Sequence, residues 1–180
     1  EKTKTICDND YSLSHFLAEE VCKNYFKTSK TQFLIMRLGY IFGCPIDSRI
    51  DRKTLIPFTL CDQLVRKGKI ELISKGNARR DFISLNKLYL FIKKIIKKKI
   101  GFKVINFVSG HTFSMKEISK IATKQANKHL NKDIVIKYGN KNDIKNNFKV
   151  KNTYKMYKDR MSVKKELGKE INKIINLINE

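Results

Sequence analysis

Apolar residues along this chain recur with two different periods. In SLSHFLAEEVCKNYF, Phe16, Leu17, Val21 and Tyr25 fall near helical spacing, with Glu19 and Glu20 on the outer face. A helix over about 12–26 is predicted, with Ser12 or Ser14 as its N-cap and a loop over residues 1–10 before it. The polar break KTSKTQ leads to QFLIMRLGYIFG, whose unbroken FLIM run predicts a buried parallel strand. That strand runs into Arg37 and a turn marked by Gly39 and Gly43, and CPIDSRIDRK then reads as a polar loop. Leu55-Ile56-Pro57 opens a second helix, FTLCDQLVRK, which Gly68 closes. KIELIS is a short strand that ends at Gly76, and NARRDFIS is another extended piece.

LNKLYLFIKKIIKKKIG places Leu85, Leu88, Tyr89, Ile92, Ile95 and Ile96 on one face and Lys93, Lys94, Lys97 and Lys98 on the other. Such a basic amphipathic helix suits a membrane surface, and the ordinary alternative is a surface helix packed on a sheet and stopped by Gly101. KVINFVSG reads as a buried strand. In SMKEISKIATKQANKHL, Ser114 precedes Glu117 at the capping-box spacing. DIVIKYG is a strand by the alternation of Ile134 and Ile136; residues 140–157 are polar and irregular, and SVKKELGKEINKIINLINE closes as a helix. Helices and strands alternate without repeats or low-complexity linkers, so residues 1–180 are read as one α/β unit.

Charge changes this picture little. A net charge of +22 invites an anionic partner, nucleic acid or an acidic membrane surface. The lysines are spread along the whole chain, however, and arginine, which reads bases and phosphates best, is scarce. A codon bias toward Lys, Asn and Ile accounts for the mixture, and a nucleic-acid partner is not expected. Cys7, Cys22, Cys44 and Cys61 lack CxxC spacing and histidine partners, which predicts free structural thiols and no metal site. No stretch approaches the roughly eighteen apolar residues of a membrane span, and the polar start EKTKTICDND is not a signal peptide, so a cytoplasmic protein is expected. The first residue is Glu1 rather than methionine, which leads us to expect a piece of a longer protein.

Four segments, in order, carry a resemblance. They are Tyr11-Ser-Leu-Ser14-His15 with Ala18-Glu19, Met36-Arg37-Leu-Gly-Tyr40-Ile-Phe42-Gly43-Cys-Pro45, Lys75-Gly76-Asn-Ala-Arg79-Arg80-Asp81-Phe82-Ile83, and Asn106-Phe-Val-Ser109-Gly110 with Ser114-Met-Lys-Glu117-Ile118. Together they resemble the C-terminal half of the extended short-chain dehydrogenase/reductases, the NAD-dependent epimerases and dehydratases that act on nucleotide sugars. Their motifs there are YxxSK…AE, RxxNxxGP, a G-x-x-x-RDFI segment, and N-x-x-SG…S-x-x-E-L. No piece is specific alone; four in the family's order across nearly the whole chain are.

The resemblance implies the C-terminal part of a Rossmann-like parallel sheet plus a smaller substrate-binding region, with the N-terminal dinucleotide-binding units missing. It implies NAD or NADP as cofactor and a nucleotide sugar as substrate. Tyr11 matches the family's catalytic tyrosine, an acid/base whose phenol, with a pKa of about 10, needs a nearby cation to work at neutral pH. The family's lysine one helical turn on supplies that cation, and here the position is His15, a shorter and mostly neutral side chain. Tyr11, His15, Arg37 and Tyr40 fall at cofactor-side positions, although Tyr40 stands where the family has asparagine. Arg80 matches the arginine that pairs with the substrate diphosphate, and Leu55, Ile56 and Pro57 match the segment lining the base. Asp143 answers to a late aspartate of the substrate site. Without the resemblance, Tyr11 is a helix-mouth aromatic and Arg80-Asp81 a surface ion pair.

The sequence contains no GxxGxxG or GxGxxG turn, on which dinucleotide pyrophosphate rests in such folds. Tight cofactor binding and full turnover by these residues alone are therefore not expected, and the partner expected is either the missing N-terminal half or further copies of the chain. The alternatives are a basic module for nucleic acid or an anionic surface, and a degenerate, non-catalytic remnant or partner subunit.

Overall fold

The computed structural model describes residues 7–47, 49–50, 55–130, 134–143 and 154–180. Parts of the predicted loops over 1–10 and 44–53, and of the irregular stretch 140–157, lie outside the described residues. Helix α1 (Asp10–Thr28) begins two residues before the predicted start. Its N-cap is Asn9, whose side chain accepts from the Ser12 N–H at 2.9 Å, while Ser12 Oγ closes the box on the Asn9 N–H. Ser12 is thus the third residue of the helix rather than its cap. Strand β1 (Phe33–Leu38) is the predicted FLIM strand, and the three-residue β2 (Tyr40–Phe42) follows where only a turn was expected.

Helix α2 (Ile56–Lys67) carries Pro57 in its first turn, where no N–H is missed, and stops at Gly68 in the left-handed region at φ 63°. Strands β3 (Lys69–Ser74) and β4 (Arg79–Ser84) lead to helix α3 (Leu85–Ile95), capped by the Ser84 side chain. Strand β5 (Phe102–Phe107) and the short β6 (Thr112–Ser114) precede helix α4 (Met115–Leu130). The predicted capping box is present: Ser114 N–H donates to Glu117 at 2.8 Å and Glu117 N–H to Ser114 Oγ at 3.2 Å. Strand β7 (Val135–Lys141) and helix α5 (Arg160–Asn179) complete the described chain.

The strands form parallel pairs: β1 with β5, β2 with β4, and β3 with β7. Among the described strands only β6 runs antiparallel, on the other edge of β4. The fold is α/β with Rossmann-like parallel pairing, and one continuous apolar core runs from β2 and β4 through α2, α4 and α5. Leu64, Ile118, Leu167, Ile171 and Ile175 are fully buried there. Helix α3 departs from its predicted packing. Phe91 is its buried residue, Leu88 and Ile95 are half-buried beside it, and Leu85, Tyr89, Ile92 and Ile96 are exposed. Cys61 is buried and Cys7, Cys22 and Cys44 half-buried, all as free thiols.

Candidate functional site

In parallel α/β sheets ligands gather beyond the carboxyl ends of the strands, because helix N-termini and loops converge there. Helix α1 runs antiparallel to β1. Its last turns pack on the start of the sheet, with Tyr25 against Phe33 and Phe26 against Phe102. Midway along, Glu19 takes two hydrogen bonds from Arg37, at 2.9 and 2.7 Å, beside the end of β1. Tyr11 lies eight residues before Glu19, so at 1.5 Å per residue it stands about 12 Å beyond that ion pair, past the strand's carboxyl end. Its side chain is 75% exposed. The His15 ring sits one turn on, with centroids 4.5 Å apart and planes tilted by 57°. The pair therefore faces open space at the end of the sheet where a reacting group can reach it. Arg37 is held by Glu19 and ties helix to strand.

A second group lies on β2 and β4. Arg80 Nε donates to the Tyr40 hydroxyl at 3.0 Å, its guanidinium stands 5.4 Å from the Tyr40 ring centroid, and Nη1 donates to the Arg79 carbonyl at 2.9 Å. Tyr40 thereby orients a half-buried arginine whose planar fork suits paired phosphate oxygens. Arg80 and Asp81 do not pair, because successive strand residues point to opposite faces. Asp81 is buried and accepts from the Ser109 N–H at 2.7 Å and the Gly110 N–H at 2.8 Å. Burial pushes its carboxyl up, and those N–H bonds oppose the shift. A side chain at Gly39 would meet Asp81 Oδ1 at 3.0 Å, so the glycine leaves room for the carboxylate that ties β4 to the turn after β5. Sequence reading missed this organising role; alternation along RRDFI, with Ser109-Gly110 and Gly39 to receive it, was the available signal.

The remaining predicted residues separate into wall and scaffold. An open cleft of about 460 Å³ lies between α2 and β3, lined by Ile56, Gln63, Leu72, Ile73, Ser74 and Met115 among others. Ile56 forms part of its wall, Leu55 is the exposed N-cap of α2, and Pro57 is buried in the core. Asp143 is engaged: Oδ1 accepts from Ser74 Oγ at 2.6 Å and Oδ2 from the Asn77 N–H at 2.7 Å. These bonds hold its carboxyl below the ordinary value and latch the end of β7 to the turn between β3 and β4, where Gly76 takes φ 74°. Asp143 thus shapes the turn that delivers Arg79 and Arg80. No described contact joins Leu55, Ile56 or Pro57 to Tyr11.

A dinucleotide needs a cradle for its pyrophosphate as well as a partner for its reacting end. Tyr11 and His15 stand together at the exposed start of α1. The positive-φ glycines at 68, 76, 101 and 110 lie after a helix or between strands, and none opens a helix N-terminus that would cradle a pyrophosphate. The described residues do not fit the whole cofactor.

The family model for the NAD dependent epimerase/dehydratase family matches residues 2–107. The chain belongs to this family. No curated protein matches the sequence. Among solved structures, the chain is similar to the UDP-N-acetylglucosamine 4-epimerase of Methanobrevibacter ruminantium M1 in complex with UDP-N-acetylmuramic acid, with TM-score 0.71 and 16% identity over 98% of this chain and 56% of that one. It is also similar to RMD from Pseudomonas aeruginosa complexed with NADPH, with TM-score 0.73 and 15% identity over 99% and 59%. For the UDP-glucuronic acid 4-epimerase of Bacillus cereus in complex with NAD, the values are 0.70 and 20%, over 98% and 55%. At these identities the likeness is one of fold. The family member described here spans a little over half the length of each.

Proposed function

We propose that this chain is the substrate-side, C-terminal portion of an NAD(P)-dependent nucleotide-sugar epimerase or dehydratase, working in the cytoplasm to make activated sugars for surface polysaccharide. The observation that carries the reading is Arg80, turned and stacked by Tyr40 on the strand that Asp81 locks to the sheet end. In this reading Arg80 takes the diphosphate, the cleft walled by Ile56 takes the base, and Tyr11 exchanges a proton with a sugar hydroxyl. A phenol acts as a base at neutral pH only when a cation stabilises the phenolate. In this reading His15, one turn away, is the side chain that answers to that need. When bound, the nicotinamide supplies hydride exchange at the sugar carbon; its pyrophosphate must be held by residues other than those described.

The experiment is calorimetric titration of the 180-residue chain with UDP-glucose and with UDP. Binding of both is expected, weakened by about tenfold or more in Arg80→Ala, the loss of a charge-assisted bidentate contact. Equal binding by the Arg80→Ala variant overturns the assignment. A nicotinamide assay with the same chain should show no NADH formed from the nucleotide sugar, and measurable NADH would overturn the division of labour proposed.

A further inference from the structure

The cleft beside Ile56 has a polar end whose chemistry is fixed from within the chain. Ile56, Thr59 and Gln63 follow one another along α2 at helical spacing and line one side of it, with Glu71, Leu72 and Ser74 of β3 on the other. The Glu71 N–H donates to Gln63 Oε1 at 2.8 Å. A backbone N–H can only donate, so the amide atom it meets is the oxygen, and that bond assigns the orientation of the Gln63 amide. The NH2 is left for the cleft, and among the described residues nothing accepts from it. The polar groups beside it are engaged. Thr59 Oγ1 donates to the Leu55 carbonyl at 3.1 Å, and the Glu71 carboxylate pairs with Lys69 at 2.9 Å. At the opposite end of the cleft stand Ser74 and Met115. The Met115 N–H donates to the Ala78 carbonyl at 3.1 Å, so this end adjoins the turn that delivers Arg80. The three residues of strand from Glu71 to Ser74 span about 10 Å, comparable with the reach from the far edge of a nucleobase to the phosphate on its ribose.

We propose that Gln63 is a specificity residue of the base site: its NH2 donates to an oxo group on the base edge far from the ribose. The cleft then takes a nucleoside diphosphate whose base is a 4-oxopyrimidine or a 6-oxopurine, and turns away one with an amino group at that place. The assignment rests on the reading of this cleft as the base site. In uracil, thymine and guanine a carbonyl at that edge accepts. In cytosine and adenine an amino group sets donor against donor and leaves the Gln63 NH2 unpaired, which a site built around one hydrogen bond rejects. Leu72, Ile73 and Met115 supply the apolar walls that a flat ring needs. This end of the cleft is complete in the chain as it stands, since both walls and the bond that orients Gln63 belong to α2 and β3.

The test is calorimetric titration of the 180-residue chain with UDP and with CDP, as wild type, Gln63→Glu and Arg80→Ala. Gln63→Glu keeps an oxygen for the Glu71 N–H and replaces the NH2 by a second oxygen, so it reverses the donor without emptying the contact. UDP is expected to bind the wild type about tenfold more tightly than CDP, and Gln63→Glu should abolish or invert that ratio. The added charge repels both diphosphates alike, so the ratio rather than the affinity is the readout. Arg80→Ala should weaken both nucleotides and leave the ratio as it is. Equal affinities for UDP and CDP in the wild type, or an unchanged ratio in Gln63→Glu, would overturn the role of Gln63 while a weakened Arg80→Ala keeps the diphosphate site. If neither nucleotide binds the wild type, the reading of the cleft falls and the role of Gln63 with it.

Discussion

Helices α1 and α5 are of similar length, 19 and 20 residues, and their environments are opposite. Along α5, Val163, Leu167, Gly168, Ile171, Ile174 and Ile175 are buried against α2 and α4. Along α1 no residue is buried, and Tyr11, Leu13, Leu17, Val21 and Tyr25 are exposed. What keeps α1 on the sheet is the Glu19–Arg37 pair and a few aromatic contacts at its last turns. The contrast teaches that the layer of α2, α4 and α5 carries its own core, while the helix bearing Tyr11 and His15 lies along the two-stranded β1–β5 sheet on a few contacts. In this chain, which spans little more than half the length of its structural neighbours, the buried layer and the exposed Tyr11 helix are held by different means.

The comparison breaks if both helices respond alike to truncation. Ile171→Ala should cost about 2–5 kcal/mol in urea unfolding, because it leaves a cavity at a site with no exposure. Leu17→Ala, half exposed on α1, should stay within about 0.5 kcal/mol. Next in size is the sheet-end carboxylate. Asp81→Ala strands the N–H groups of Ser109 and Gly110 and should cost about 1–3 kcal/mol, with Asp81→Asn closer to wild type because it keeps an acceptor.

Acid sharpens the comparison on the stable side. Desolvation pushes the Glu117 carboxyl up, but bonds from the Ser114 N–H and Arg160 outweigh it and leave the group below its ordinary value of 4.5. Asp143 is likewise lowered from 3.8 by Ser74 and Asn77. A depressed carboxylate contributes stability in full above its unfolded value and loses it as pH falls through the folded one. Thermal unfolding followed downward from about pH 5 should therefore show falling stability in the wild type. Glu117→Gln should flatten that slope. The smallest effect expected is that of Glu19→Gln, about 1 kcal/mol or less for a partly exposed ion pair, felt as faster opening of α1.

Much of the architecture was legible because local chemistry and tertiary packing agree. Gly68 ends α2 as a left-handed cap, Ser114 and Glu117 box the start of α4, and the FLIM run is the parallel strand beside β5. The three-residue strands β2 and β6 were not, since at that length pairing comes from the neighbour, β4, and not from their own pattern. The start of α1 was misplaced because serine at two helical positions resembled a cap, while Asn9 had Ser12 in reach to reciprocate. In α3 the apolar stripe is wider than the face that packs: Phe91, with Leu88 and Ile95 beside it, meets the core, and the rest of the stripe stays exposed. Of the candidate site, residue types and order were legible. The Tyr40–Arg80 stacking and the Asp143 latch were not, because each joins residues more than thirty positions apart.

Native-state hydrogen exchange, resolved by peptide, tests the contrast between the two layers most directly. Amides of α2, α4 and α5 should open only with global unfolding, while those of α1 before Glu19 should exchange orders of magnitude faster. If α1 is protected to the same level as α5, the Tyr11 helix is as firmly built in as the core, and the division between a self-sufficient buried layer and a loosely held α1 is wrong.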